Sequence, residues 1–390
     1  MLFDYEYKIK QVFIKPSEHC NMKCDYCYCK RGNTNNIFDS LGNMDASTFE
    51  NILQNYINFI ESNKQELILN IVWHGGEPLV AGLDYYKKMM EIENRYSELN
   101  KDANIKIFNY LQTNATLIDN EWINFFKDNK FSLGISLDGP KYIHNKYRKF
   151  IDDNGTFDVI IENIRKLQEE HVPIGILSVI TKFSSNFPED IFNFFVDKLK
   201  IKLIDFIPCF YNNDELSPSS DDLSRFLIKI FDLWYSINFS CINIITLSDI
   251  IDKTINWHYN IEQPDKYICE FSGNCGRNLA ILSNGDIYPC ECLVNVGSLK
   301  LGNINQNNFI DIICGDQFSR FKNLCSDISV ECMKCVYFSI CKGGCFHRRI
   351  NGWTINEKRE HYCNARKEII NHIINTLFKG SIPVMDKIEG

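Results

Sequence analysis

Six short apolar runs, each stopped by a turn and most of them followed by a helical pattern, constrain the chain more than any other feature. They are Val12-Phe13-Ile14 within 10–15, then Leu67 to Trp73, Ile105 to Leu111, Phe131 to Leu137, Pro173 to Ile180 and Lys202 to Ile207. Between the first two, Phe49, Ile52, Leu53, Tyr56, Ile57 and Ile60 recur at helical spacing behind Ser47-x-x-Glu50, which reads as a capping box. Leu83 to Tyr96 reads as a second helix, Val159, Ile160, Ile164 and Leu167 mark the face of another, and Pro188 suits the first position of one more. Return connections of helix length pair successive strands in parallel. The expectation is an α/β fold, a (β/α)6 series forming a partial barrel, with chemistry on the loops that follow the strand C-termini. The alternation ends after Ile207, and Leu223, Phe226, Leu227, Ile230, Phe231 and Trp234 form one stripe of a core helix over Asp221 to Ser236.

The 390 residues, 45% of them hydrophobic, suffice for one large core and a second, smaller unit. The net charge of -8, with Lys and Arg scattered among the acids, gives no footprint for nucleic acid. Asp4, Glu6, Lys8 and Lys10 interrupt the apolar positions of the first ten residues, which excludes a signal-peptide core, and no run is long enough to span a membrane. A cytoplasmic protein is expected, and its 17 cysteines then point to metal rather than to disulfides.

Directly after the first strand stands Cys20-Asn-Met-Lys-Cys24-Asp-Tyr26-Cys27. Three thiolates on one short loop can hold three irons of a [4Fe-4S] cluster and leave the fourth open to chemistry. A zinc loop or three core cysteines are the alternatives. The C-x3-C-x2-C spacing, with Tyr26 before its last cysteine, resembles the signature of radical S-adenosylmethionine (SAM) enzymes. His74-Gly75-Gly76-Glu77-Pro78 after the second strand resembles their GGE element, whose backbone binds the SAM amino group. Ser136-Leu137-Asp138-Gly139-Pro140 and Ile143-His144-Asn145-Lys146-Tyr147-Arg148 resemble their SLDGP and IHDxxR elements. The resemblance implies SAM contacts at Tyr26, Gly75, Gly76, Glu77, Asn114, Ser136, Asp138 and Arg148, with Ser136 on the ribose and Arg148 on a carboxylate, which suits a guanidinium fork. Asn145 stands where the family often has Asp, and Gln112-Thr113-Asn114-Ala115 where it often has QTNG.

The C-terminal third is governed by Cys269-x5-Cys275, Gly285-x4-Cys290, Cys332-x2-Cys335-x5-Cys341-x3-Cys345 and a final Cys363. Eight cysteines match two fully ligated [4Fe-4S] clusters, or alternatively a pair of zinc ribbons. The pattern resembles the SPASM domain at every position. That resemblance implies auxiliary cluster I on Cys269, Cys275, Cys290 and Cys345, and auxiliary cluster II on Cys332, Cys335, Cys341 and Cys363. Cys29, Cys209, Cys241, Cys292, Cys314 and Cys325 fall outside the patterns; free cysteines commonly read as small buried hydrophobes, and Cys29 and Cys292 stand apart because each lies within two residues of a named cluster ligand.

Together these features divide the chain into a partial TIM-type barrel over 1–215, a bridging helical segment over 216–265 and a SPASM domain over 266–390. The last closes with a helix carrying Ile369, Ile370, Ile373, Ile374, Leu377 and Phe378. The plan is similar to anaerobic sulfatase-maturating enzymes and to maturases of ribosomally made peptides (RiPPs). It implies SAM and three [4Fe-4S] clusters as cofactors, a peptide or protein substrate, and an electron donor such as flavodoxin or ferredoxin. In the sulfatase maturases an Asp after the third ligand of auxiliary cluster I serves as general base, whereas Glu291 holds that place here. That exchange makes oxidative crosslinking of a RiPP the first expectation, through a thioether or carbon-carbon bond, with formylglycine formation second. A first strand near residue 10 leaves no room for the leader-binding domain that many peptide maturases carry. A non-catalytic iron-sulfur carrier would leave the open iron and the GGE and Arg148 elements unexplained.

Overall fold

All six apolar runs form strands: β1 (Gln11–Ser17), β2 (Ile68–Gly75), β3 (Lys106–Thr113), β4 (Ser132–Ser136), β5 (Ile174–Ile180) and β6 (Leu203–Pro208). Four shorter strands follow, β7 (Asn243–Ile244), β8 (Asn278–Ile281), β9 (Asp286–Tyr288) and β10 (Gly302–Asn303). The computed structural model describes residues 9–30, 42–62, 68–101, 105–210, 215–239, 242–262, 269–350 and 359–378. These fall into two units that cross the chain order, one from 1–137, 144–175 and 275–326, the other from 138–143, 176–274 and 327–390. Cys241 lies outside the described residues.

In the first unit the strand order is β10-β9-β8-β1-β2-β3-β4. Strands β8 through β4 run parallel, and β9 and β10 continue antiparallel beyond β8. The expected α/β fold with a parallel sheet is present, and β8 adds to it a strand from the cysteine-rich region, with Val12 opposite Leu279. Helices Ala46–Ser62, Leu83–Leu99, Asn120–Asp128 and Phe157–Glu169 occupy the crossovers. The first of them is not capped by the expected Ser47-x-x-Glu50 box. Asp45 accepts from the Thr48 N–H at 2.7 Å and from the Ser47 hydroxyl at 2.9 Å. A carboxylate one residue before the helix satisfies the first free N–H groups better than a serine already inside it, and Glu50 pairs instead with Arg95. Between helices and sheet lies an aromatic core in which Trp73 meets Phe49 and Tyr86 at 5.2 Å between ring centres, and Tyr86 meets Trp122 at 5.4 Å. The Trp73 indole N–H donates to Asn109 at 2.8 Å, so its burial leaves no donor unpaired.

In the second unit β5, β6 and β7 run parallel. Helix Ser220–Ser236 starts with a capping box between Ser219 and Asp222, and its buried face holds the apolar stripe read from the sequence. Phe206 of β6 packs on Phe226 at 5.3 Å. Helix Cys363–Phe378 buries Ile369, Ile370, Ile373 and Ile374, and Phe378 stacks on His258 at 4.0 Å. Pro188 opens the short helix Pro188–Asn193. Among the described residues no helix is long and apolar enough to cross a membrane.

Candidate functional site

β1 leads into the cysteine loop through a shift in its pairing with β2 between Ile14 and Ser17. Pro16, which has no N–H for the ladder, lies within that shift. Cys20, Cys24 and Cys27 follow, each partly exposed. Two of the sequence motifs hold the backbone around them. From the turn after β2, the Gly76 N–H donates to Ser17 O at 3.2 Å and the Glu77 N–H to His19 O at 2.7 Å. A Cβ on Gly76 would lie 2.3 Å from the carbonyl oxygens of both Glu18 and His19, so only glycine lets the two backbones come this close. From the other motif, Tyr147 O accepts the Asp25 N–H at 3.1 Å and Lys149 O the Lys23 N–H at 2.9 Å.

The side chains named as SAM contacts differ in their surroundings. Arg148 and Tyr26 lie together, the guanidinium carbon 5.3 Å from the ring centre and both residues buried. Asn114 touches the loop, its amide 2.9 Å from Asn21 and 4.0 Å from the Cys20 sulfur. Ser136 accepts from Gln112 at 3.0 Å. Glu77 has both carboxylate oxygens engaged by the protein, by the Thr113 hydroxyl and Asn114 N–H at 2.7 Å each and by the Leu79 N–H at 3.1 Å. Burial pushes its pKa up to about 7 against those hydrogen bonds. Its side chain thus ties the turn after β2 to the turn after β3. Asp138 belongs to the second unit, where its carboxylate accepts the Val179 N–H at 3.1 Å.

Both departures from the family pattern have local roles. Ala115 sits at φ +60, a left-handed conformation that glycine adopts more readily. Asn145 accepts the Phe157 N–H at 3.1 Å, at the start of helix Phe157–Glu169.

Glu291 is buried, in the 3-10 turn Glu291–Leu293 that follows Cys290. It does not point to solvent. Its carboxylate accepts a hydrogen bond from the Tyr28 hydroxyl, one residue past Cys27, and lies 3.3 Å from Lys15 Nζ and 3.4 Å from His74 Nδ1. Burial alone would push its pKa up, but His74, Lys15 and the Tyr28 bond outweigh that and leave it below the usual carboxyl range. Lys15 was not singled out from the sequence. It is 1% exposed, and although burial favours its neutral form, Cys29, Glu291 and Glu18 around it keep the ammonium charged. The Cys29 sulfur is 4.0 Å from Lys15 Nζ.

Of the ligands named for auxiliary cluster I, Cys275 and Cys290 lie in the first unit and Cys269 and Cys345 in the second. All four named for auxiliary cluster II, Cys332, Cys335, Cys341 and Cys363, line one cavity in the second unit. Among the described residues no three Cys, His, Asp or Glu side chains converge on a single-ion site. Four thiols spaced around a cavity suit a cubane, in which each thiolate binds a different iron. Three such clusters predict about twelve irons and little zinc in anaerobically prepared protein. Metal analysis that finds zinc and about four irons would sink the assignment of the eight C-terminal ligands.

Comparison with known proteins agrees with this geometry. Residues 14–195 match the Radical SAM superfamily, and residues 269–345 match the SPASM iron-sulfur cluster-binding domain. The chain is 30% identical over 372 residues to a cysteine-type anaerobic sulfatase-maturating enzyme of Clostridium perfringens, covering 93% of this chain and 95% of that one. It is 27% identical over 386 residues to a serine-type enzyme of Bacteroides thetaiotaomicron, covering 93% and 89%. Its structure is similar to that of native anSMEcpe with bound AdoMet, with a TM-score of 0.82 at 28% identity, covering 95% and 98% of the two chains. Streptococcus suis SuiB bound to the precursor peptide SuiA shares the fold at 20% identity, with a TM-score of 0.62 and 92% and 76% covered. With both domains matched and a 30% identical relative along nearly its whole length, this chain is a radical SAM enzyme with a SPASM domain and belongs to the family of the anaerobic sulfatase-maturating enzymes.

Proposed function

We propose that the chain matures sulfatases, oxidising a cysteine or serine of a sulfatase peptide to formylglycine. The observation that carries this reading is the buried carboxylate of Glu291, hydrogen-bonded to the residue that follows Cys27. The Asp-to-Glu exchange made a peptide crosslink the first expectation. The relatives favour the other reading, since both cysteine-type and serine-type maturases align over some nine-tenths of this chain. The exchange also keeps the functional group and lengthens its stem by one methylene.

Cys20, Cys24 and Cys27 would hold the cluster at which SAM binds, supplying a 5'-deoxyadenosyl radical that removes a hydrogen atom, while the two SPASM clusters supply an electron sink. The remaining work falls to the chain's own side chains. Lys15 keeps Glu291 ionised, the Tyr28 hydroxyl orients it, and Glu291 takes the proton that the substrate side chain must lose. Burial keeps that carboxylate away from bulk water, where it would titrate and reorganise. A flavodoxin or ferredoxin is the kind of partner that would deliver the reducing electron.

The test is a sulfatase-motif peptide carrying Cys, and a second carrying Ser, incubated anaerobically with the iron-loaded protein, SAM and dithionite. The expected product is a peptide aldehyde, trapped with a hydrazide and located by mass spectrometry. Steady cleavage of SAM with both peptides unchanged would overturn the proposal and return the crosslinking reading to first place.

A further inference from the structure

Arg366 lies on helix Cys363–Phe378, three residues after Cys363 and so on the same face as that ligand. It is 6% exposed. Its guanidinium is fixed on three sides. Nε donates to Glu360 at 3.0 Å, Nη2 donates to Glu270 at 3.0 Å, and the plane sits 4.4 Å from the Phe271 ring centre. Arg348 binds the same two carboxylates, which completes a set of two arginines and two glutamates, all buried except the half-buried Glu270. That leaves Nη1, which is buried and has no acceptor among the described residues. Unpaired buried donors are rare and call for a ligand or a water. Arg366 also lines the cavity formed by Cys332, Cys335, Cys341 and Cys363.

We propose that Arg366 Nη1 donates an N–H···S hydrogen bond to the cluster held by those four cysteines and thereby raises its reduction potential. This rests on the two-cluster reading of the C-terminal region. A cubane with four thiolates gains a further negative charge on one-electron reduction, so a fixed cationic donor stabilises the reduced form more than the oxidised one. Glu270 and Glu360 act as positioning residues, since a guanidinium held at two of its nitrogens can aim only the third.

The experiment uses full-length protein in which Cys20, Cys24 and Cys27 are all replaced by alanine, so that only the auxiliary clusters contribute to the spectra. It should hold about eight irons, and markedly fewer would show that the two-cluster reading itself has failed. With the irons present, an EPR-monitored dithionite titration reads the midpoint potentials. Arg366→Gln should move one of the two midpoints to a more negative value. Lys367→Gln, which removes a charge from the same cavity wall without removing the guanidinium, should move it much less. Protein labelled with [15N]arginine gives a readout that does not depend on the stability of an Arg366 variant. The reduced cluster should show a 15N coupling in pulsed EPR that survives Arg359→Lys, which removes the other arginine of the cavity wall. Eight irons with unchanged midpoints in Arg366→Gln, or with no such coupling, would overturn the role given to Arg366.

Discussion

Replacing Cys24 by alanine should abolish reductive cleavage of SAM, so that 5'-deoxyadenosine falls to the level of a reaction without enzyme. On the proposed reading the first cluster would have only Cys20, Cys24 and Cys27 as protein ligands, and the loss of one would leave a site that cannot both keep its irons and offer one of them to SAM. Cys335→Ala should behave differently. Its cavity lies in the second unit, whereas Cys20, Cys24 and Cys27 belong to the first, so SAM cleavage should persist while turnover of peptide is lost. The assay follows 5'-deoxyadenosine and modified peptide in the same tube. Undiminished 5'-deoxyadenosine from Cys24→Ala would mean that the loop is structural.

The parallel α/β series was legible because hydrophobic runs, turn residues and helical periodicity are local signals, and every one of the six runs became a strand. The β8 pairing was not legible. Asn278–Ile281 is a four-residue strand whose partner, β1, lies at the far end of the sequence, and nothing in so short a run names its neighbour. The capping error at Ala46–Ser62 has a simpler cause, since both Asp45 and Ser47 are good caps and only the backbone decides which residue stands outside the helix.

At the site, residue types were easier to read than their surroundings. Arg148 could have been a solvated charge at the end of a short helix, and only the structure shows it buried against Tyr26. Lys15 had a signal that went unread, a lone cation ending an apolar strand just before the cysteine loop. A buried lysine needs counter-charges, and Glu18 and Glu291 approach it at 3.8 and 3.3 Å. The second of these comes from beyond β9, so no local pattern could have supplied it.

Glu291→Gln should lower formylglycine formation by roughly 10²- to 10⁴-fold, the usual cost of removing a general base, while SAM cleavage continues without productive turnover. Glutamine keeps the shape of the side chain and an oxygen for the Tyr28 hydroxyl, but it cannot take up a proton. The competing account is electrostatic. Glu291 stands 3.3 Å from a fully buried ammonium, and its function could be to neutralise Lys15 rather than to act on a substrate. The two accounts differ in what else changes. If Glu291 only balances Lys15, then Gln leaves that ammonium with Glu18 and Cys29, the first unit loses stability, and SAM cleavage, melting temperature and peptide turnover fall together. If Glu291 is also the base, the melting temperature still falls with the lost charge balance, but peptide turnover falls far more than SAM cleavage, and that excess loss appears in kcat for the peptide. A double replacement, Lys15→Met with Glu291→Gln, separates them further, because it removes the unbalanced charge and should restore stability without restoring the aldehyde. Recovery of aldehyde in that double variant would show that Glu291 is a counter-ion and that the proton leaves by another route.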